Sequence, residues 1–98
     1  MRIDDVAKIA KHYGLECQLN QTVEECAELT QAISKYNRAT HEGWCKDYDV
    51  GTAIVRIIEE IAHVELMLDQ LKYLLICEGD VDFVYDAAVK RQLERMGR

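Results

Sequence analysis

Apolar residues recur at three- and four-residue spacings along most of the chain, which is typical of amphipathic helices. The first long segment with this pattern follows Gly14 and meets no helix breaker before about Thr40. Its apolar positions are Cys26, Leu29, Ile33 and Tyr36. We predict a helix here that buries this face.

A second long apolar pattern starts at about Val50 or Gly51 and ends near Cys77. Its main stripe is sustained over about five helical turns. The stripe consists of Ile57, Ile61, Val64, Leu68, Leu71 and Leu75. We predict that this stripe forms the core side of the helix.

Two shorter helices are predicted at the ends of the chain. Asp4 or Asp5 can cap a first helix, and Gly14 is a natural stop for it because glycine tolerates the backbone at a helix C-terminus. Asp80 can cap a last helix that runs to about Met96. We therefore expect four helices.

No segment shows the alternation of a β-strand, so we predict an all-α fold, a small antiparallel bundle of about four helices. Residues 1–98 form a single domain in this interpretation, since no linker or repeat divides them. Residues 41–49 are predicted to be a loop short enough to let the two long helices pack antiparallel. Trp44 in this loop could stack on a nucleobase, but a subunit contact is the favoured role.

Acidic residues and one histidine interrupt the apolar faces of both long helices. Glu24, Glu25 and Glu28 lie on the first, and Glu60 and His63 lie on the second. At about 100° per residue, Glu25 and Glu60 fall in apolar arcs where core residues are expected. Because an isolated buried carboxylate is very costly, these acids must be neutralised or paired. Two helices that aim acids inward can share a divalent cation, and Mg²⁺ prefers carboxylate oxygen.

A simpler interpretation is a solvated helix face with local ion pairs. Glu60 could pair with Arg56 one turn earlier. His63 could be a polar residue at the edge of a helix interface as readily as a metal ligand. We favour metal binding because both Glu25 and Glu60 lie in apolar arcs.

The charge balance limits the partners. A net charge of −6 argues against a general nucleic-acid binder, which would need a basic face to meet phosphate. A nucleotide ligand is still allowed, since a bound metal inverts the local charge.

With 98 residues the chain has a thin core. Apolar Ile58, Ala62 and Leu66 lie off the main stripe, so we expect a homo-dimer or a tetramer.

Cellular location is predicted from cysteine spacing and from the N-terminus. None of the four cysteines forms a CxxC pair, which argues against a zinc knuckle or a redox motif. The N-terminus lacks the apolar core of a secretory signal. The uncharged run 73–77 is far too short to span a bilayer, so no membrane partner is expected. We predict a cytoplasmic protein with reduced thiols.

The two acidic motifs resemble those of the MazG-like, all-α nucleoside triphosphate pyrophosphohydrolases. The signature of that superfamily is EExxE on one helix and ExxD on a later antiparallel helix. Glu24, Glu25 and Glu28 match the first motif, and Glu60 matches the first acid of the second. The resemblance covers roughly residues 15–75. It departs at His63, where the family pattern has Asp.

The resemblance implies an activity, a cofactor and roles for residues. The reaction is hydrolysis of a nucleoside triphosphate to the monophosphate and pyrophosphate, with Mg²⁺ as the cofactor and Mn²⁺ as the alternative. The implied metal ligands are Glu25, Glu28, Glu60 and His63. Glu24 or Glu25 would orient or deprotonate the attacking water as the catalytic residue.

Two lysines are candidates for binding the substrate phosphates. Lys35 lies two turns beyond Glu28 on nearly the same helix face, and Lys90 belongs to the basic end of the last helix. For the C-terminal basic residues, complementing the helix dipole is the simpler role.

His63 leaves three outcomes open. Imidazole suits Zn²⁺, Mn²⁺ or Ni²⁺ better than Mg²⁺, so His63 could still bind a metal. The site could instead hold fewer metals than its relatives, or it could have lost its chemistry. The competing function is therefore a catalytically degenerate helical oligomer that acts as an interaction module. A weaker alternative is an acidic mimic of nucleic acid.

Overall fold

The computed structural model describes residues 2–41 and 49–97 and shows four helices in them. They are α1 (Arg2–Tyr13), α2 (Leu15–Thr40), α3 (Val50–Leu75) and α4 (Glu78–Met96). Within the described residues there is no strand. The all-α prediction with four helices is confirmed.

The long helices α2 and α3 pack against each other and form the body of the molecule. Gln18 Nε2 donates to Gln70 Oε1 across the contact. One heptad later in α2, Glu25 meets His63, which lies one heptad earlier in α3. The contacts run in opposite directions along the two helices, so the predicted antiparallel pairing is confirmed. Helix α1 packs mainly on α3 and also contacts α2.

The contact between α2 and α3, called the seam below, uses alternating spacings of three and four residues on both helices. This is the spacing that lets side chains of two helices interdigitate. The buried or half-buried seam positions of α2 are Gln18, Thr22, Glu25, Leu29 and Ala32. Those of α3 are Ala53, Ile57, Glu60, Val64, Met67 and Leu71. The seam therefore contains several polar side chains where a core would usually have apolar ones.

Part of the predicted apolar stripe of α3 is wrong. Ile61, Leu68 and Leu75 are between 44% and 52% exposed. Helix α3 is apolar around most of its circumference, so periodicity does not select one arc. The buried arc is instead the one that brings small Ala53 and polar Glu60 against α2. The predicted buried face of α2 is also partly wrong, because Cys26 and Ile33 are exposed.

The start of α1 differs from its prediction. The helix begins at Arg2, so Asp4 and Asp5 lie in its first turn and do not cap it. Acidic side chains in a first turn are still favourable, because they complement the partial positive charge of the helix N-terminus. Gly14 stops α1 as predicted, with a φ of 85° that glycine adopts without steric cost. Helix α2 follows at once.

The end of α3 is set by main-chain hydrogen bonds. Ile76 has a left-handed backbone with a φ of 51°. The N–H of Ile76 donates to Tyr73 O at 3.3 Å, and the N–H of Cys77 donates to Lys72 O at 3.1 Å. This pair of bonds is the Schellman motif, which usually has glycine at the left-handed position. The helix therefore ends two residues before the predicted Cys77.

The chain restarts as α4 immediately after this motif. Helix α4 begins at Glu78, so the prediction that Asp80 is its N-cap is wrong, and Asp80 lies in the first turn. The reason is that the Schellman motif turns the chain at Ile76, which leaves Cys77 in the capping position.

Helix α4 extends away from the body. Of the other described helices it contacts only α3, and none of its described side chains is buried. The radius of gyration is 17.1 Å, against about 13 Å for a compact domain of this length. The length of the 26-residue helices α2 and α3 and the projection of α4 both contribute to the difference. None of the described helices combines the length and the apolar character that crossing a bilayer requires.

Candidate metal centre

Three side chains from the middle of the seam bring potential ligand atoms together. Oxygen atoms of Glu25 and Glu60 and a ring nitrogen of His63 all lie within 4.8 Å of one another. His63 Nδ1 is 3.6 Å from Glu25 Oε2 and 3.4 Å from Glu60 Oε2. The seam thus places one ligand from α2 beside two ligands from α3. The sequence-predicted pairing of the two clusters is observed for these residues.

The cluster is closed on one side and open on the other. Glu60 is 1% exposed, and it is one of the most deeply buried side chains described. The Glu25 side chain is 17% exposed, whereas that of His63 is 52% exposed. A ligand such as a phosphate could therefore approach from the His63 side, while the Glu60 side is sealed by the helices.

Each carboxylate is held through one oxygen by a residue one turn earlier in its own helix. Gln21 Nε2 donates to Glu25 Oε1 at 3.1 Å. Arg56 Nη2 lies 3.4 Å from Glu60 Oε1. The local ion pair of Arg56 with Glu60 is therefore present, but it uses only one of the two oxygens of Glu60.

The other oxygen of each carboxylate has no hydrogen-bond partner. Glu25 Oε2 and Glu60 Oε2 are both buried, and no donor bonds to either among the described residues. Buried polar atoms are nearly always satisfied, so two orphaned acceptors in one place require a physical reason. A cation between them would satisfy both, because both oxygens accept and neither can donate to the other.

Glu28 lies at the exposed edge of the same cluster. The negative charge of Glu25, and after it that of Glu60, raises the pKa of the Glu28 carboxyl above its ordinary value. This repulsion shows that the three acids share one local field although they belong to two helices. A bound divalent cation would reverse the effect, since it favours the ionised form of all three.

The structure does not bring every predicted site residue to the cluster. Glu24 is exposed and does not join the ligand cluster of Glu25, Glu60 and His63 in the described part of the chain. Lys35 is half-buried on α2, and none of the ion pairs found in residues 2–41 and 49–97 involves it. Lys90 is exposed on α4, which does not contact α2. Their roles stay predictions, and Trp44 lies outside the described residues.

Sequence reasoning missed one residue that shapes the site. Gln21 fixes the orientation of Glu25, yet it was not among the candidates. Its signal was available, since it precedes Glu25 by four residues just as Arg56 precedes Glu60. A polar residue one turn before each inward-facing acid therefore indicates how that acid is held.

The donor set is chemically suited to a divalent cation. Two carboxylate oxygens and one imidazole nitrogen leave further coordination positions for water or phosphate oxygens. Comparison with protein-family models, with curated proteins and with solved structures found no match to this chain. The interpretation of the cluster therefore depends on its own geometry and on the resemblance of its motifs.

Proposed function

We propose that this chain is a metal-dependent nucleoside triphosphate pyrophosphohydrolase, which releases nucleoside monophosphate and pyrophosphate. One observation supports the proposal most strongly. The orphaned buried oxygens of Glu25 and Glu60 face each other across the seam, beside His63. The resemblance of the two acidic motifs to the MazG-like family supplies the reaction.

In this proposal Glu25, Glu28 and Glu60 hold the cation, with His63 as the fourth ligand. When bound, Mg²⁺ or Mn²⁺ would neutralise charge on phosphate oxygens and lower the pKa of a bound water. The protein contributes position. Gln21 and Arg56 hold the carboxylates by one oxygen each, so the other oxygens stay aimed at the shared space.

The remaining roles concern water and substrate. Glu24 lies on the exposed side of α2. We propose that Glu24 or Glu25 orients the attacking water. Lys35 is proposed to meet a phosphate oxygen because it shares the face of Glu28 two turns further along α2. Lys90 is the weaker phosphate candidate, because within one copy of the chain α4 does not contact α2.

Pyrophosphate release from a panel of nucleoside triphosphates tests the proposal. The native protein should hydrolyse at least one nucleotide with Mg²⁺ or Mn²⁺. Glu25→Gln should abolish that activity and keep the helical content. Glu65→Gln is the matched control, because Glu65 is exposed on the other side of α3 and its loss changes the net charge equally. Equal activity in both variants would contradict the proposed site.

The second candidate function is a non-catalytic helical oligomer. Its supporting observation is that His63 Nδ1 already lies close to both carboxylates, so a protonated His63 could pair with them and replace a cation. Calorimetry distinguishes the two functions. If neither the native protein nor His63→Asp binds Mg²⁺ or Mn²⁺, the interaction module is the better account.

A further inference from the structure

Helix α4 carries an apolar face that no other described segment of the single chain covers. Four residues spaced four apart lie along it, and a fifth follows three residues later. They are Val81, Tyr85, Val89, Leu93 and Met96, and they are between 39% and 80% exposed. Most of the stability of a helix in a protein comes from packing its apolar face, so α4 needs a surface to pack against.

The whole chain also exposes more surface than a folded protein of its mass should. Its accessible area is 7824 Å². A compact monomer of 11.3 kDa is expected to expose about 5,700 Å². The excess is of the size that a stable interface between two proteins removes from water.

The charges of α4 are divided between its two halves. Its acidic residues lie mostly in the first half, at Glu78, Asp80, Asp82 and Asp86. Its basic residues lie in the second half, at Lys90, Arg91 and Arg95, with Glu94 as the exception. Helix α3 also exposes apolar residues, but its charges are not divided in this way, since basic Arg56 and Lys72 flank its acids.

We propose that the apolar face of α4 packs antiparallel on the same face of α4 from a second copy of this chain. The antiparallel orientation places the acidic half of each helix over the basic half of the other. A parallel pair would place like charges side by side, which is destabilising. A two-fold axis near Ala88 makes the contact self-complementary, as a closed dimer requires.

One pair of helical positions also matches. Asp86 and Lys90 flank the apolar face on the edge next to Leu93, whereas Asp80 projects about 160° from the centre of the face. In an antiparallel pair each edge meets the same edge of the partner helix. Asp86 therefore meets Lys90 of the second copy. None of the ion pairs within residues 2–41 and 49–97 involves α4, so these charges are free to pair between copies.

Light scattering on the full chain at micromolar concentration tests the contact. The native protein should have the mass of a dimer or of a larger even assembly. Val89→Glu places a charge in the apolar face and should lower the mass by half. Phe83→Glu is the matched control, because Phe83 is 77% exposed but lies on the opposite side of α4 from Tyr85. It should leave the mass unchanged.

Circular dichroism on the same samples shows whether each variant keeps its helices. Val89 is not part of the core, so the variant should retain α1 to α3. A native monomer, or a Val89→Glu variant with the native mass, would overturn the proposal.

A charge exchange tests the orientation. Asp86→Lys and Lys90→Asp should each raise the dimer dissociation constant by about five- to tenfold, since symmetry repeats each unfavourable pair. The double variant should restore it to within about twofold. If the double variant is weaker than either single variant, the antiparallel orientation is wrong.

Discussion

Two polar contacts cross the seam between α2 and α3 one heptad apart, and they are built differently. In the first, Gln18 Nε2 donates to Gln70 Oε1 at 2.6 Å. Gln70 in turn donates to Leu66 O at 3.4 Å, so its side chain is used as both acceptor and donor. Both glutamines are at most 5% exposed. This contact needs no further group, and it fixes how the two helices are aligned along their lengths.

In the second contact Glu25 and His63 occupy the positions that correspond to the two amides, and Glu60 lies beside them. Glu25 and Glu60 each have one oxygen satisfied within their own helix and one buried oxygen without a donor. Two amides can satisfy each other because each both donates and accepts, whereas two carboxylates only accept. The first contact is therefore satisfied within the folded chain. The second requires a third group, either His63 or a cation.

The largest effect should come from making the second contact resemble the first. Glu25→Gln supplies an amide donor beside Glu60 Oε2, so the metal-free protein should become more stable by about 1 kcal/mol. The stabilisation by metal should disappear with the missing ligand. In the native protein that stabilisation should reach about 2.7 kcal/mol when the free metal is at 100 times its dissociation constant.

Thermal unfolding with and without Mg²⁺ or Mn²⁺ measures both effects. Glu65→Gln should keep the native response to metal, because its carboxylate faces away from the seam. If neither metal raises the unfolding temperature of the native protein, a cation is ruled out as the third group of the second contact.

The next effect should come from opening the first contact. Gln18→Leu leaves Gln70 Oε1 buried without its donor, which should cost about 1–3 kcal/mol in the free energy of unfolding. Replacing both glutamines by leucine removes the unsatisfied group and should recover most of that loss. Urea unfolding of the native protein, the single variant and the double variant gives the comparison. Additive losses in the double variant would show that the two amides are not coupled.

The parts of the fold that were predictable from the sequence depend on local rules. Helical periodicity and Gly14 give the number, type and approximate bounds of the helices. Glu60 is buried, as its position among apolar neighbours predicted, although the stripe predicted to be the core side of α3 was a different arc. The antiparallel pairing of α2 and α3 followed from the short connection between them.

Other features depend on information that a local pattern lacks. Ile61 and Glu60 are adjacent on α3, and periodicity alone does not decide which of the two faces the seam. The end of α3 at Ile76 is made by main-chain hydrogen bonds, without the glycine that usually marks such an end. For Glu24, Lys35 and Lys90 the prediction used only a shared face or a motif position, which fixes neither a distance nor a partner.

A smaller effect concerns the choice of metal at the second contact. His63→Asp replaces a nitrogen ligand by an anionic oxygen, which Mg²⁺ prefers. We expect the affinity for Mg²⁺ to rise about tenfold, a change of about 1.4 kcal/mol. Titration calorimetry with each metal should show that the variant site prefers Mn²⁺ over Mg²⁺ less strongly than the native site does. His12→Asp on α1, outside the seam, should change neither affinity.

The smallest effect is the pH dependence that Glu28 gives to the second contact. Its folded pKa lies above its ordinary value because of Glu25 and then Glu60. Folding therefore favours the protonated form. The stability that Glu28 contributes is fully present below its ordinary pKa and is lost as pH rises through the raised one. Asp49 has the opposite sign, since the N–H and hydroxyl of Thr52 lower its pKa.

Glu28→Gln separates these two contributions. Thermal unfolding against pH should show a weaker loss of stability on the alkaline side of the ordinary pKa of Glu28. The loss on the acid side, where Asp49 takes up a proton and its bonds to Thr52 weaken, should be unchanged. Because a cation favours ionised Glu28, metal affinity of the native protein should rise as pH passes through the raised pKa. An identical pH profile in Glu28→Gln, with and without metal, would place Glu28 outside the cluster and leave Glu25, Glu60 and His63 as the whole site.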